Sequence, residues 1–225
     1  MMERPLEHDI DELKKSLLTM AGEVESLLGQ AIRALVERDS ELAGRVRDGD
    51  KAVDLHELEV DHRVLELIIR HRPLASDLRL CMTATKIAPD LERVADHGVN
   101  IAEQALQLNA MPPLKRFVTI PAMATIASGM VRDAITAFVH GESSLARAVI
   151  ARDDEVDSMH EQVFRELLTY MMEDPRTITR GLALLLVSRS LERIADQATN
   201  IAEQVVYLVE AEDIRHLRAR EDGTQ

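Results

Sequence analysis

The sequence predicts an all-α protein built from two tandem copies of one three-helix unit, and three observations carry that expectation. Aromatic residues make up only 2% of the 225-residue chain, with no Trp, while Leu, Ala, Glu, Arg and Val dominate, the palette of packed helices rather than sheets. Apolar residues recur with a 3.6-residue period and without strand-like alternation. The third observation is internal repetition: LERVADHGVNIAEQALQL, starting at Leu91, returns 100 residues later as LERIADQATNIAEQVVYL, with 11 of 18 positions identical. A second echo, Asp50-x-x-Val53-Asp54 against Asp153-x-x-Val156-Asp157, extends the duplication over most of the chain.

Each helix is delimited by its breaker. The first runs over about residues 8–38 and stops at the capping pair Asp39-Ser40,. The second, about 41–71, carries Leu42, Val46, Val53, Val60, Val64 and Leu67 on one face and ends at His71-Arg72-Pro73,. The third, about 74–109, holds the first copy of the repeated motif and ends at Met111-Pro112-Pro113. The pattern then recurs: about 117–140 up to His140-Gly141, 143–172 up to Asp174-Pro175, and 176–216 with the second copy. Short connections make successive helices antiparallel neighbours, so each half, 1–110 and 111–225, is expected to be an up-down-up bundle.

Composition narrows the function. Forty acidic residues against 27 Lys and Arg leave a formal charge of −13, which repels nucleic acid and acidic membranes at long range. The N-terminal MMERPLEHDIDEL is too charged for a signal peptide,. The longest strongly apolar run, Leu182 to Val187, is far below the roughly 20 residues that span a bilayer, so no direct membrane insertion is expected. The single Cys81 has no disulfide partner within the chain and is expected to be a buried thiol in a cytoplasmic protein,. The nine glycines are scattered singly, with no phosphate-cradling loop and no paired nucleophile and base, so catalysis has no evident home,.

The acidic residues are ordered differently from a solvated charge face. On the third helix Glu92, Asp96, Asn100 and Glu103 fall at roughly 0, 40, 80 and 20 degrees around the axis. The sixth repeats the stripe with Glu192, Asp196, Asn200 and Glu203. Asp50, Asp54, Glu57 and Asp61 flank the apolar face of the second helix, and Asp153, Asp157 and His160 do so on the fifth. Residues equally distant from a turn lie level on antiparallel helices. The pairs Asp50–Asp96 and Asp54–Glu92 are both centred on residue 73, in the first turn, and Asp153–Asp196 and Asp157–Glu192 are centred between residues 174 and 175, in the second. Level carboxylates repel by about 3 kcal/mol per pair at about 5 Å and an effective dielectric of about 20. A divalent or multinuclear metal would compensate, and the donor set suits iron, zinc, manganese or magnesium. Neutralisation by Arg93 and Arg193 is the competing explanation.

Glu92-Arg93-x-x-Asp96 with Asn100-Ile101-Ala102-Glu103, preceded by Pro73-x-x-Ser76-Asp77-Leu78-Arg79, resembles the PhoU family of phosphate-signalling regulators over nearly the whole chain. That resemblance implies a PhoU-like fold and a cytoplasmic, non-catalytic, homodimeric accessory protein, recruited peripherally to membrane complexes. Its implied partners are the ATPase subunit of a phosphate ABC transporter and a phosphate-sensing membrane histidine kinase, and its implied action is to hold the starvation response off when phosphate is ample. It further implies iron or zinc clusters, or other divalent ions, held by Asp50, Asp54, Glu57, Glu92 and Asp96 and by Asp153, Asp157, His160, Glu192 and Asp196. Two departures stand out: Pro89 one turn before the first motif, expected to kink its helix, and Thr179-Arg180-Gly181-Leu182 in place of the Ser-Asp-Leu-Arg segment. The rival readings are a metal-free helical adaptor and a di-iron enzyme. The latter needs two Glu-x-x-His motifs, of which only Glu59-x-x-His62 occurs on the facing helices.

Overall fold

The structure, a computed structural model, describes residues 5–49, 51–114 and 118–214. Among these there is no strand. Six long helices carry the fold: α1 (Pro5–Val36), α3 (Lys51–His71), α4 (Ser76–Asn109), α5 (Thr119–His140), α7 (Asp153–Glu173) and α8 (Ile178–Glu210). Two short ones, α2 (Ser40–Arg47) and α6 (Ser143–Ile150), complete it, with a single 3-10 turn at Pro175–Thr177 before α8. In the first half α1, α3 and α4 pack on one another, in the second α5, α7 and α8 do, and α2 and α6 each bridge the outer helices of their half.

The single helices expected over 41–71 and 143–172 are each two. The chain breaks at Asp48–Gly49 and again at Ala151–Arg152. Periodicity could not reveal this, because Val46 and Val53, like Val149 and Val156, are seven residues apart, two full turns, and all four are buried. The break leaves the apolar residues in phase. Every expected break was found where its capping or breaking residue stood. Asp39 accepts a hydrogen bond from the Leu42 backbone N–H at 2.9 Å and caps α2,. The residue preceding each short helix's cap adopts a left-handed conformation: Gly141 at φ +66° in the second half, and Arg38 at φ +59° in the first.

The halves join through α4 and α8, which run antiparallel. Lys86, early in α4, lies 5.8 Å from the ring centroid of Tyr207, late in α8. α1 and α5 make the second junction, where Arg132 meets Glu25 at 3.0 Å and the Lys14 ammonium donates to the Val139 carbonyl at 3.2 Å. One apolar core runs through both halves, with Leu17, Met20, Leu28 and Leu91 contributed by the first and Met130, Phe138, Leu184 and Leu191 by the second. Small side chains permit the close approach of the central helices. A Cβ at Gly98 would stand 2.5 Å from Leu27 Cδ2, so α1 crosses α4 there.

Cys81 is fully buried, as expected. Pro89 lies inside α4, which continues unbroken through it. α5 is long and apolar enough to pass as a membrane span by length and composition, although its apolar residues form no long unbroken run, but its apolar face is buried against the bundle. Apolar side chains are instead exposed at both hairpin ends, Leu65, Ile69, Leu74 and Leu78 in the first half and Leu168, Met172, Ile178 and Leu182 in the second.

Candidate metal centres

Antiparallel packing of α3 on α4 brings Asp54, Glu57, Glu92 and Asp96 within electrostatic reach of one another. The Glu92 carboxyl is pushed above its ordinary range by burial first, then by the charges of Asp96, Glu57 and Asp54, with Arg93 opposing. Glu57 is raised in the same way, by burial and then by Asp61 and Asp54. The register inferred from the turn at residue 73 therefore holds for Asp54 and Glu92. Asp50 lies outside the described residues.

The second half reproduces the arrangement between α7 and α8. Glu192 is raised by burial and then by Asp196, with Arg193 and His160 opposing and Asp157 adding. Asp196 is raised by burial, against the opposing charge and hydrogen bond of Arg193, and Asp157 adds to the rise. Half-buried Asp153 opens α7 one turn before Asp157. His160 Nδ1 stands 3.0 Å from Ser188 Oγ, and that hydroxyl donates its own proton to the Leu185 carbonyl at 3.0 Å. Ser188 therefore accepts from His160 Nδ1–H, which leaves the Nε2 lone pair available to a metal, the usual way an outer-shell partner sets a ligating imidazole.

The arginines divide the two centres. Arg193 donates to Asp196 at 2.9 Å and stands 3.6 Å from Glu192, so neutralisation by arginine operates in the second half. Its counterpart Arg93 instead donates to Asp90 at 3.0 Å. Asp90 is almost fully buried, and burial pushes its carboxyl up to about 6 against the opposing Arg93. Sequence reasoning passed over Asp90, although a carboxylate one residue before Leu91 on the apolar face of α4 was the signal that could have found it. His97, which has Gln197 at its place in the second copy, is half-buried near Asp96, Asp196 and Arg193, with its imidazole pushed down by burial.

A cation fits these residues by charge and donor chemistry, since each set pairs mutually repelling, partly buried carboxylates and the second adds a correctly protonated imidazole. Among the described residues no three His, Cys, Asp or Glu side chains converge closely enough to hold an ion without rearranging. Other ionisable side chains of α3 are engaged elsewhere. Glu59 of the lone Glu-x-x-His motif binds Arg63 at 2.7 Å and approaches His56 at 3.4 Å. His71 and Arg70 both meet Asp9, at 2.7 and 3.2 Å.

A duplicated helical bundle with paired carboxylate stripes defines a class, and comparison with known proteins places the chain within it. The family model for the PhoU domain matches residues 17–105 and again 120–205. The chain is 41% identical over 215 residues to the phosphate-specific transport system accessory protein PhoU homolog of Aquifex aeolicus, covering 96% of this chain and 97% of the relative. It is 36% identical over 209 residues to PhoU of Escherichia coli, covering 93% and 87%. The crystal structure of PhoU from Pseudomonas aeruginosa superposes with a TM-score of 0.88 at 38% identity, over 92% of this chain and 99% of that one. The phosphate transport system regulatory protein PhoU of Streptococcus pneumoniae gives 0.85 at 27% identity, over 93% and 99%. The chain belongs to the PhoU family.

Proposed function

We propose that this chain is a metal-binding negative regulator of phosphate uptake and phosphate-starvation signalling. It acts from the cytoplasm as a homodimer and couples the ATPase subunit of a phosphate ABC transporter to a membrane sensor histidine kinase. The names of its relatives, accessory and regulatory proteins of phosphate transport, support this reading. Exposed apolar side chains at both hairpin ends also favour work through protein contacts rather than through catalysis,.

The observation that carries the metal part is the twofold occurrence of level, mutually repelling carboxylates whose protonation is favoured by burial and by one another. Asp54, Glu57, Glu92 and Asp96 would hold ions in the first half, with Asp50 beside them. Asp153, Asp157, His160, Glu192 and Asp196 would do so in the second. Iron or zinc suits the second set best because of its imidazole, while manganese or magnesium suits the all-oxygen first set. When bound, the metal supplies charge neutralisation and a cross-link between paired helices.

A metal-free adaptor is the second reading, favoured by the Arg193–Asp196 ion pair, which already compensates part of one set. Elemental analysis of protein purified without chelator separates the two: stoichiometric metal that chelation removes supports the first, and none supports the second. For the regulatory part, deleting the gene should leave the phosphate-starvation response on in phosphate-rich medium. A normally repressed response, with neither transporter nor kinase recovered in pull-downs, would end that reading.

A further inference from the structure

The internal repeat places two clefts along the antiparallel α4–α8 contact, and each serves as a control for the other. One, of about 430 Å³, combines His97, Asn100 and Gln104 from α4 with Arg189, Ser190 and Arg193 from α8. Its volume lies in the ~300–1,000 Å³ range of small-molecule sites. The sister cleft, of about 360 Å³, combines Lys86 and the repeat-related Pro89, Asp90 and Arg93 of α4 with Asn200, Glu203 and Gln204 of α8.

The difference between them is one of charge. The sister cleft carries two carboxylates, Asp90 and Glu203, and its arginine is bound to Asp90 at 3.0 Å. In the first cleft Asp90 is replaced by Ser190 and Pro89 by Arg189, so that its lining holds two guanidinium groups and no carboxylate. A cationic concavity is unexpected in a chain of net charge −13. Arg193 is shared with Asp196 at the margin, but Arg189 makes no hydrogen bond or ion pair among the described residues. Gln104, like its counterpart Gln204 in the sister cleft, holds a buried Oε1 that accepts no hydrogen bond. A half-turn of that amide exchanges its oxygen and nitrogen, turning the same position into a donor.

We propose that this cleft binds a phosphoryl oxyanion, free as orthophosphate or carried on a small organic molecule. Arg189 and Arg193, one helical turn apart on α8, supply charge and forked N–H donors. His97, Asn100, Gln104 and Ser190 supply neutral hydrogen-bonding groups around them. Arg193 also meets Asp196 of the second acidic set, so the assignment is tested on protein without metal.

Calorimetric titration of the full chain, stripped of metal by chelation and then desalted, tests it with two probes, orthophosphate and glycerol phosphate. Saturable binding is expected, weakened at least tenfold by Arg189→Ala and changed less than twofold by Lys86→Ala, which alters the sister cleft. Arg189 is exposed and unengaged, so the variant should keep its helicity, which circular dichroism checks. Binding of orthophosphate alone supports a site for the free ion, and binding of the ester as well supports one for a carried phosphoryl group. The assignment is overturned if neither probe saturates, or if Arg189→Ala binds as wild type, or if Lys86→Ala weakens binding as much as Arg189→Ala. Because the protein is metal-free throughout, failure of the metal reading leaves this result unaffected.

Discussion

Arg193 holds Asp196 at 2.9 Å, while Arg93, at the matching place in the repeat, donates to the buried Asp90 at 3.0 Å. An ion entering the second acidic set must therefore displace a guanidinium. Exposed ion pairs of this kind contribute about 0.2–1 kcal/mol. Arg193→Ala should therefore tighten metal binding at the second centre by a factor of up to about five, read by titrating manganese into chelated protein. Weaker binding in that variant would mean that Arg193 helps to build the centre rather than occupying it.

Removing the carboxylates has the opposite effect. Glu92→Gln with Asp96→Asn should abolish one class of bound metal, and Glu192→Gln with Asp196→Asn the other, without loss of helicity, since these groups repel one another and lie outside the apolar core. Elemental analysis of each double variant distinguishes the two halves.

Ser188 acts on the second centre through His160. Ser188→Ala removes the acceptor that keeps the proton on Nδ1, and loss of such an outer-shell partner typically costs about 10–100-fold in metal affinity. The change should be confined to the second class of sites, and Ser188→Thr should rescue it in part. Equal loss at both classes would point to a general packing defect at this fully buried position.

The buried Asp90 makes stability fall with rising pH. Its folded value, about 6, lies above its ordinary 3.8, so the native state binds more protons than the unfolded one in that window. The contribution is fully present below about pH 4 and is lost as pH rises through about 6, a swing of about 3 kcal/mol at most. Asp90→Asn should flatten this slope and raise stability at pH 8 by about 1–2 kcal/mol, less than the full swing because the charged bond to Arg93 is lost. Urea denaturation at pH 4.5 and 8 measures both.

Arg38 and Gly141 occupy the same left-handed turn in the two halves, by different means. Gly141 adopts φ +66° without a steric penalty, and Gly141→Ala should cost about 1 kcal/mol,. Arg38 accepts the strain at φ +59° and donates to the carbonyls of Leu108, Asn109 and Met111 at the end of α4. Arg38→Ala keeps the strain and loses the bonds, so it should cost about 2 kcal/mol, and thermal unfolding should rank it below Gly141→Ala.

The fold was legible because its signals are local and doubled. A capping residue, a proline or a glycine marked each turn that was expected, and identical motifs 100 residues apart defined the repeat without any knowledge of packing. The α2–α3 and α6–α7 breaks escaped because a seven-residue spacing keeps the apolar face in phase across them. Among the acidic sets, the pairing of Asp54 with Glu92 and of Asp157 with Glu192 followed from distance to a turn, a quantity that sequence contains. Arg93 and Arg193 take different partners because Asp90 stands three residues before the first where Ser190 stands before the second, a local difference whose outcome depends on the burial of Asp90.

By itself the sequence determined the all-helical duplicated architecture, the antiparallel register of the carboxylates and the absence of catalytic motifs, all of which depend on spacing along one chain. Only the tertiary structure decided how α4 meets α8, and with it which side chains of the two helices share a cleft. Those outcomes depend on burial and on contacts between residues about a hundred positions apart, such as His97 beside Arg193 and Asp196. The desolvation that raises Asp90 likewise arises only when the bundle closes around it,.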